Sequence, residues 1–374
     1  MNVELTEIYD KIQNRLDQFD THEVHTQDNQ SQIVVLDQVV RELTQKLSSE
    51  RQQRIFDEFF GFGPLEVLIK DEEISEILVN SYHEIHFEKQ GHLYALQDSF
   101  FSRLSYRNCI HRILEKTNSI LSLEKPFCDM KYEDFRVSLV DESISQNGTL
   151  LSFRRHPKKK WTLDLLQKAG WCDTREREVL EKIIQLKKNF LVVGSTGAGK
   201  TSVINALLEL TSVNERSLII EDTQEIQLPN SLSLRLLTRD ETNFGLCAID
   251  QSQLVKRALR LRPDRIVMGE IRGHEAKDFL MALSTGHKGS FGTLHSQDPQ
   301  QALLRLEMLI QMGAPHWKLS AIRRLMSLSL EVIIVTEKTA DGKRKLEGIY
   351  LINSLEENGF LIERLESTGP LNLF

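Results

Sequence analysis

The sequence has little cysteine and no long apolar segment. Its 374 residues include four cysteines that lie far apart, so a C-x-x-C metal site is excluded and a disulfide framework is not indicated. No apolar run approaches the roughly 18 residues that a membrane-spanning helix needs. The N-terminus lacks the basic and apolar regions of a signal peptide. We therefore expect a cytosolic protein with reduced thiols, which reaches a membrane only through partners.

An excess of positive charge is also absent. The chain has 47 basic and 54 acidic residues, a net charge of −7. This balance argues against a function that depends on bulk attraction to nucleic acid or anionic lipid. One basic run, residues 154–160, is more typical of a solvated linker between domains. No internal repeat or low-complexity tract is present.

Three regions follow one another along the chain. Residues 1–60 form an N-terminal helical region, with helical spacing over 1–20 and 33–60 and a polar linker from His22 to Gln32. A Gly-Phe-Gly-Pro break then opens an α+β domain, residues 61–157. Its predicted strands cover 74–80, 84–88, 136–140 and 149–153, its predicted helix covers 103–117, and a hairpin turn is predicted at 89–92.

Residues 158–374 alternate helices with short apolar strands, which predicts an α/β domain with a mainly parallel sheet. Asp341-Gly342 and Asn358-Gly359 predict hairpin turns, so the C-terminal part should be antiparallel. The predicted strands are 189–193, 217–221, 265–269, 290–295 and 331–336. The predicted helices are 175–186, 200–210, 252–262, 274–284, 299–312 and 317–327.

A glycine-rich loop joins the first of these strands to a helix and has the pattern G-x-x-x-x-G-K-[ST]. Glycines let backbone N–H groups surround phosphates, and the helix N-terminus adds its dipole. We expect Lys200 to reach the β- and γ-phosphates of ATP and the Thr201 hydroxyl to ligate Mg²⁺. The predicted nucleotide-binding residues are Gly194, Ser195, Thr196, Gly197, Ala198, Gly199, Lys200, Thr201 and Ser202.

Carboxylates follow two of the other strands. Glu270 ends the strand 265–269, where it can face the phosphates because ligands of open α/β sheets bind at the carboxyl ends of strands. An acidic cluster, Glu221 to Glu225, ends the strand 217–221. ATP hydrolysis needs such carboxylates to hold the metal and to position water. His295 ends the short strand 290–295.

The order of these motifs resembles the type II/type IV secretion and pilus ATPase superfamily. The Glu-Asp-Thr-x-Glu, Val-Met-Gly-Glu-Ile-Arg-Gly and Thr-Gly-His-x-Gly-Ser-x-Gly-Thr-Leu-His segments resemble its Asp box, Walker B and His box. The tight-adherence (Tad/Cpa) pilus branch is the most similar. The resemblance implies a RecA-like ATPase core preceded by a smaller α+β domain.

The resemblance also implies roles for particular residues. Glu225 and Glu270 would handle water and magnesium, with Glu270 beside Thr201 at the metal, and the choice of general base between them stays open. Arg235 and Arg239 would act as arginine fingers, often across a subunit boundary. His295 would belong to the catalytic set. Two arginines of the N-terminal domain would reach the nucleotide from above: Arg136 and Arg154.

The sequence departs from the family pattern at three places. Ser284 replaces an asparagine, His295-Ser296-Gln297 replaces His-Ala-Asn, and Asp240-Glu241-Thr242 replaces Pro-Pro-Asn. The family implies a hexameric ring that uses ATP and Mg²⁺ at an inner-membrane platform protein, without nucleic acid. Two alternatives stay open: a hexameric nucleic-acid motor and a regulatory pseudo-ATPase.

Overall fold

The computed structural model describes residues 3–20, 29–155, 160–239, 246–356 and 359–365. It divides into two compact units, Met1–Lys158 and Lys159–Phe374. The predicted boundary between 157 and 158 lies outside the described residues, as do most of the basic run and residues 22–28 of the predicted linker. None of the described helices is long and apolar enough to cross a bilayer.

The first unit begins with helices whose apolar sides pack together. They are α1 (Val3–Asp20), α2 (Asn29–Thr44) and α3 (Ser49–Phe60), followed by the short α4 (Glu66–Lys70). Tyr9, Ile12, Val40 and Ile55 form their shared core. The prediction of a linker up to Gln32 was wrong for 29–32, because glutamine has a good helix propensity and α2 extends back through these polar residues.

A six-stranded antiparallel sheet completes this unit, in the order β3-β2-β1-β6-β5-β4. The helix α5 (Arg103–Thr117) contributes Cys109, Ile110 and Ile113 to the core beneath the sheet. Positive φ angles at Gln90 and Gly91 make the predicted hairpin turn between β2 and β3. The strands are β1 (Ile74–Ser81), β2 (Glu84–Lys89), β3 (His92–Ala95), β4 (Phe127–Tyr132), β5 (Phe135–Val140) and β6 (Leu150–Arg155).

The second unit contains an eight-stranded sheet in the order β14-β13-β12-β7-β11-β10-β8-β9. The strands from β12 to β9 run parallel, and β13 and β14 are antiparallel, as predicted. The strands are β7 (Phe190–Gly194), β8 (Ser217–Glu221), β9 (Leu234–Leu237), β10 (Arg265–Ile271), β11 (Phe291–His295), β12 (Val332–Lys338), β13 (Arg344–Glu356) and β14 (Gly359–Arg364).

Helices cover both faces of this sheet. Leu191 and Val193 of β7 belong to one buried cluster, and Phe190 and Val192 belong to the other. Continuous apolar strands of this kind are typical of a parallel sheet buried on both sides. The helices are α6 (Leu163–Lys168), α7 (Thr174–Gln185), α8 (Lys200–Leu208), α9 (Gln251–Ala258), α10 (Glu275–Ser284), α11 (Pro299–Gly313) and α12 (Leu319–Ser329).

Candidate active site

The glycine-rich loop lies at the carboxyl end of β7, between β12 and β11 in the sheet. Gly197 and Gly199 adopt φ angles of +76° and +88°, which L side chains rarely adopt. At Gly194, an added Cβ would lie 2.3 Å from the carbonyl oxygen of Thr336. The loop therefore needs glycine both for its backbone conformation and for its close contact with the neighbouring strand.

Lys200 begins α8 and folds back into the loop. Its ammonium donates to the carbonyl oxygens of Gly194 at 3.0 Å and Ser195 at 3.1 Å. The loop, a lysine within it and a helix N-terminus directly behind it form the arrangement that binds phosphate groups. All nine predicted nucleotide-binding residues, 194–202, lie in this strand–loop–helix segment.

Thr201 and Glu225 come together at the start of α8. The Thr201 hydroxyl donates to Glu225 Oε2 at 3.2 Å. Asn205, one turn further along α8, accepts from the Gln227 N–H at 2.7 Å and donates to the Thr201 carbonyl at 3.0 Å. Helix α8 thus holds the acidic loop that follows β8 beside the glycine-rich loop.

A buried carboxylate, Glu221, organises that acidic loop from below. Its Oε1 accepts the N–H groups of Glu225 at 2.9 Å and Ile226 at 2.8 Å, and its Oε2 accepts Arg235 Nε at 2.9 Å. Burial raises the pKa of the Glu221 carboxyl, while these hydrogen bonds and the charge of Arg235 act in the opposite direction. Glu221 therefore fixes the backbone that presents Glu225.

The two predicted arginine fingers have different environments. Arg235, on β9, pairs with Glu221 and also donates to the Ile226 carbonyl, so it holds the acidic loop of its own chain. Arg239 is exposed, and its guanidinium donates to the Cys247 carbonyl at 3.0 Å. The contact of either arginine with nucleotide stays a prediction. The departure at Asp240-Glu241-Thr242 lies outside the described residues.

Glu270 lies near the end of β10 and forms an ion pair that the sequence did not predict. Arg272 Nη2 donates to Glu270 Oε2 at 2.5 Å, and Arg272 Nη1 lies 3.8 Å from Asp222 Oδ2. The hydrogen bond to Glu270 raises the pKa of Arg272 despite partial burial. Arg272 thus links the Glu270 carboxylate near the end of β10 to the Asp222 carboxylate that follows β8. Its place two residues after Glu270 in the sequence is the signal that could have identified it, because a cation so close along the chain can reach the carboxylate.

His295 ends β11 directly beside the glycine-rich loop, since it pairs with Gly194 in the parallel ladder. Partial burial lowers the pKa of His295, and the charges of Lys200 and Arg305 lower it further, against an opposing effect of Glu270. The histidine is therefore neutral near pH 7 and lies among the groups that face the loop.

The two arginines predicted in the first unit are neighbours in its sheet. Arg136 on β5 pairs in register with Arg154 on β6, so both lie on the face opposite the buried core. Arg136 Nη2 lies 3.4 Å from Asp129 Oδ2. Their predicted contact with nucleotide stays a prediction.

The residues at the sheet edge fit a magnesium ion bound together with nucleotide. Within the described part of the chain, no group of three or more His, Cys, Asp or Glu side chains forms a metal site by itself. Mg²⁺ commonly uses one or two carboxylates or hydroxyls together with substrate phosphates and water, not an all-protein cage. The Thr201 hydroxyl beside the Glu225 carboxylate offers ligands of this kind, with Glu270 on the same edge of the sheet.

Comparison with known proteins identifies the family. The family model described as "Type II/IV secretion system protein" matches residues 58–347. The chain belongs to this family. Its relatives include the conjugal transfer protein TrbB of Rhizobium radiobacter, 26% identical over 83% of this chain and 93% of that protein. The type IV secretion system protein PtlH of Bordetella pertussis is 32% identical over 59% of this chain and 73% of that protein.

Solved structures of similar fold support the architecture. The chain resembles the pilus retraction motor PilT with a TM-score of 0.54 and 18% identity, over 79% of this chain and 84% of that chain. It resembles the ATPase DotB of Legionella pneumophila with a TM-score of 0.52 and 17% identity, over 73% of this chain and 75% of that chain. These likenesses confirm the fold class, a RecA-like core preceded by a smaller α+β domain.

Family membership and the assembled P-loop site make this chain a P-loop ATPase. The prediction of a secretion or pilus ATPase is confirmed, and the two alternatives of a nucleic-acid motor and a pseudo-ATPase gain no support from the family. The narrower resemblance to the tight-adherence branch stays a prediction.

Proposed function

We propose that this ATPase is an oligomeric motor that hydrolyses ATP to drive pilus assembly or secretion at an inner-membrane machine. The observation that carries the proposal is the convergence at one sheet edge of the P-loop, Glu225, Glu270 and His295. These are the groups that phosphoryl transfer to water requires: a phosphate cradle, metal ligands and carboxylates that position water.

Each group has a place in hydrolysis. The loop backbone and Lys200 bind and orient the phosphates. Thr201 with one of the two carboxylates would hold magnesium, which would supply positive charge against the charge that develops on the phosphates. The remaining carboxylate orients water and accepts its proton, and the choice between Glu225 and Glu270 stays open. A neutral His295 can donate one hydrogen bond without adding a charge beside Lys200.

The exposed Arg239 supports catalysis by an assembly. Arg235 is committed to the buried Glu221, whereas the exposed guanidinium of Arg239 hydrogen-bonds the Cys247 carbonyl and can exchange this contact for a phosphate of another subunit. We therefore assign the trans arginine to Arg239. A closed head-to-tail ring, hexameric in our proposal, repeats this interface at every subunit.

The relatives suggest where the motor works. TrbB is named for conjugal transfer and PtlH for type IV secretion. We propose that the chain acts at the cytoplasmic face of the inner membrane through a platform protein. The substrate of the motor is then a partner protein, which ATP-driven closure and opening of the ATPase displaces.

A mixing experiment tests the assignment of Arg239. We expect Arg239→Ala to leave ATP affinity nearly unchanged and to reduce hydrolysis at least about tenfold, since arginine fingers typically contribute 10³–10⁵-fold. Mixing it with inactive Lys200→Ala protein should restore activity, because a mixed interface pairs an intact loop with an intact arginine. Arg324→Ala, which removes an exposed arginine from α12, is the matched control.

Two results would contradict the proposal. If mixed rings form without any restored phosphate release, Arg239 acts within its own subunit. If the wild-type protein stays monomeric with ATP and still turns over at full rate, catalysis does not need an assembly.

A further inference from the structure

The hairpin formed by β12 and β13 contacts the outer side of the glycine-rich loop. The Thr336 hydroxyl donates to the Ala198 carbonyl at 3.0 Å, and Arg344 Nε donates to the Gly197 carbonyl at 3.0 Å. An added Cβ at Gly199 would lie 3.0 Å from Arg344 Cδ. Two consecutive loop carbonyls therefore bind to a segment that lies more than a hundred residues later in the chain.

The planar peptide bond gives these contacts a consequence for nucleotide. In a trans peptide, the C=O of one residue and the N–H of the next point in opposite directions. Holding the Gly197 and Ala198 carbonyls outward therefore directs the N–H groups of Ala198 and Gly199 towards the inside of the loop. The Ala198 N–H indeed donates across the loop to the Ser195 carbonyl at 3.3 Å, next to the Lys200 ammonium.

A hydrogen-bond chain orients the Thr336 hydroxyl. Trp171 Nε1 donates to Thr336 Oγ1 at 3.0 Å, and both side chains are buried. A hydroxyl has one proton to donate, and indole N–H can only donate. With its oxygen accepting from Trp171, Thr336 is left to give its proton to the Ala198 carbonyl, because its other acceptor, the Lys345 carbonyl, is more distant at 3.4 Å.

We propose that Thr336 and Arg344 are positioning residues that preorganise the glycine-rich loop for the phosphates of ATP, with Trp171 supporting Thr336. The proposal rests on the nucleotide-binding role of the loop and adds a cause for its shape. Without these contacts the peptide planes of the loop rotate more freely, and ATP binding must then order them at a cost in affinity.

Two substitutions of Thr336 distinguish the contribution of its hydroxyl from the contribution of its side-chain volume. We expect Thr336→Val to raise the Kd for ATP about tenfold, the equivalent of about 1.4 kcal/mol. The rate at saturating ATP should stay within about threefold, because bound phosphates order the loop themselves. Thr336→Ser keeps the hydroxyl and should bind ATP within about twofold of wild type. Calorimetric titration and steady-state phosphate release measure the two quantities.

Substitution of Arg344 tests the second contact at an exposed position, where folding is not at stake. Arg344→Met removes the donor and keeps the aliphatic stem, and we expect about a fivefold to tenfold rise in the Kd. Lys343→Met removes the same charge from the adjacent, exposed residue of the hairpin and should leave the Kd unchanged. Arg344→Lys should recover part of the affinity.

The outcomes distinguish this proposal from the ATPase assignment. Lys200→Ala should abolish turnover, and if it does not, the assignment of the loop itself is wrong. If Lys200→Ala is inactive while Thr336→Val and Arg344→Met bind ATP like wild type, the positioning role alone is refuted. If Thr336→Ser binds ATP as weakly as Thr336→Val, packing is the cause and the proposal fails. If Lys343→Met binds ATP as weakly as Arg344→Met, the general charge of the hairpin is the cause and the proposal also fails.

Discussion

Removing Arg235 should destabilise the ATPase unit more than removing Arg239 does. The Glu221 side chain is 3% exposed and the Arg235 side chain 15% exposed, and their ion pair lies beneath the acidic loop. Among the described residues, Arg235→Ala leaves the buried carboxylate with the Glu225 and Ile226 N–H groups as its hydrogen-bond partners. Glu221, which holds the backbone of Glu225, would then have no arginine to balance its negative charge.

The size of the effect follows from burial. Breaking a buried ion pair by deleting one partner costs about 3–5 kcal/mol. In a domain of 150–250 residues, each kcal/mol shifts the thermal midpoint by roughly 2–4 °C, so we expect a decrease of about 6–20 °C. Arg239→Ala removes an exposed side chain and should change stability by no more than about 0.5 kcal/mol, or roughly 2 °C.

Thermal unfolding at several pH values provides the assay. Burial already raises the folded-state pKa of Glu221, and loss of Arg235 raises it further. A carboxyl whose pKa is higher in the folded than in the unfolded protein stabilises the folded state at pH values below its unfolded pKa, near 4.5. This contribution is lost as the pH rises through the folded pKa. The deficit of Arg235→Ala relative to wild type should therefore be smaller near pH 5 than near pH 8.

Two results would refute this reasoning. If Arg235→Ala unfolds within 2 °C of wild type, the ion pair has no structural role. If it keeps full stability but loses turnover and recovers it on mixing with Lys200→Ala protein, Arg235 is the trans arginine after all.

Two further predictions concern the carboxylate and histidine at the strand ends. Glu270→Gln should keep ATP bound but slow turnover by about 10²–10⁴-fold. A raised Mg²⁺ requirement of the variant would identify Glu270 as the metal ligand. Loss of ATP binding, measured by calorimetry, would instead show that Glu270 has a structural role. The depressed pKa of His295 means that its contribution to stability is present above about pH 6.5 and is lost as the pH falls. Without nucleotide, the thermal unfolding midpoint should decrease less for His295→Asn than for wild type between pH 7 and pH 5. Equal decreases for the two proteins would contradict this.

The parts of the site that lie on one continuous segment were predictable from sequence. The P-loop follows an apolar strand and precedes a helix, and the structure has that helix beginning at Lys200, as predicted. Glu270 near the end of β10 and His295 at the end of β11 were predicted in the same way, from the apolar residues that precede them. The ends of these strands can be predicted because strands buried on both faces of a parallel sheet are continuous apolar runs. The first polar residues after such a run mark the end of the strand.

Partners that meet across strands were not predictable. The β8–β9 pairing brings Arg235 to Glu221, but β9 is a four-residue strand with an arginine in it and was missed. The contact of Arg344 with Gly197 joins residues 147 apart. Such pairings depend on the order of strands in the sheet, which propensity and periodicity do not encode.

The position of β7 in the sheet has a consequence for synthesis of the protein. β7 lies between β11 and β12, and β12 is complete only at Lys338. At 5–20 residues per second, roughly seven to thirty seconds separate completion of β7 from completion of β12 on the ribosome. Both edges of β7 lack a partner until β11 is complete at His295, and the edge that pairs with β12 stays unpaired until Lys338. An unpaired edge on an apolar strand exposes the incomplete chain to aggregation during this interval. Thr336 and Arg344, which contact the glycine-rich loop, are made only at the end of this interval or just after it. Bound nucleotide can therefore stabilise the unit only after it.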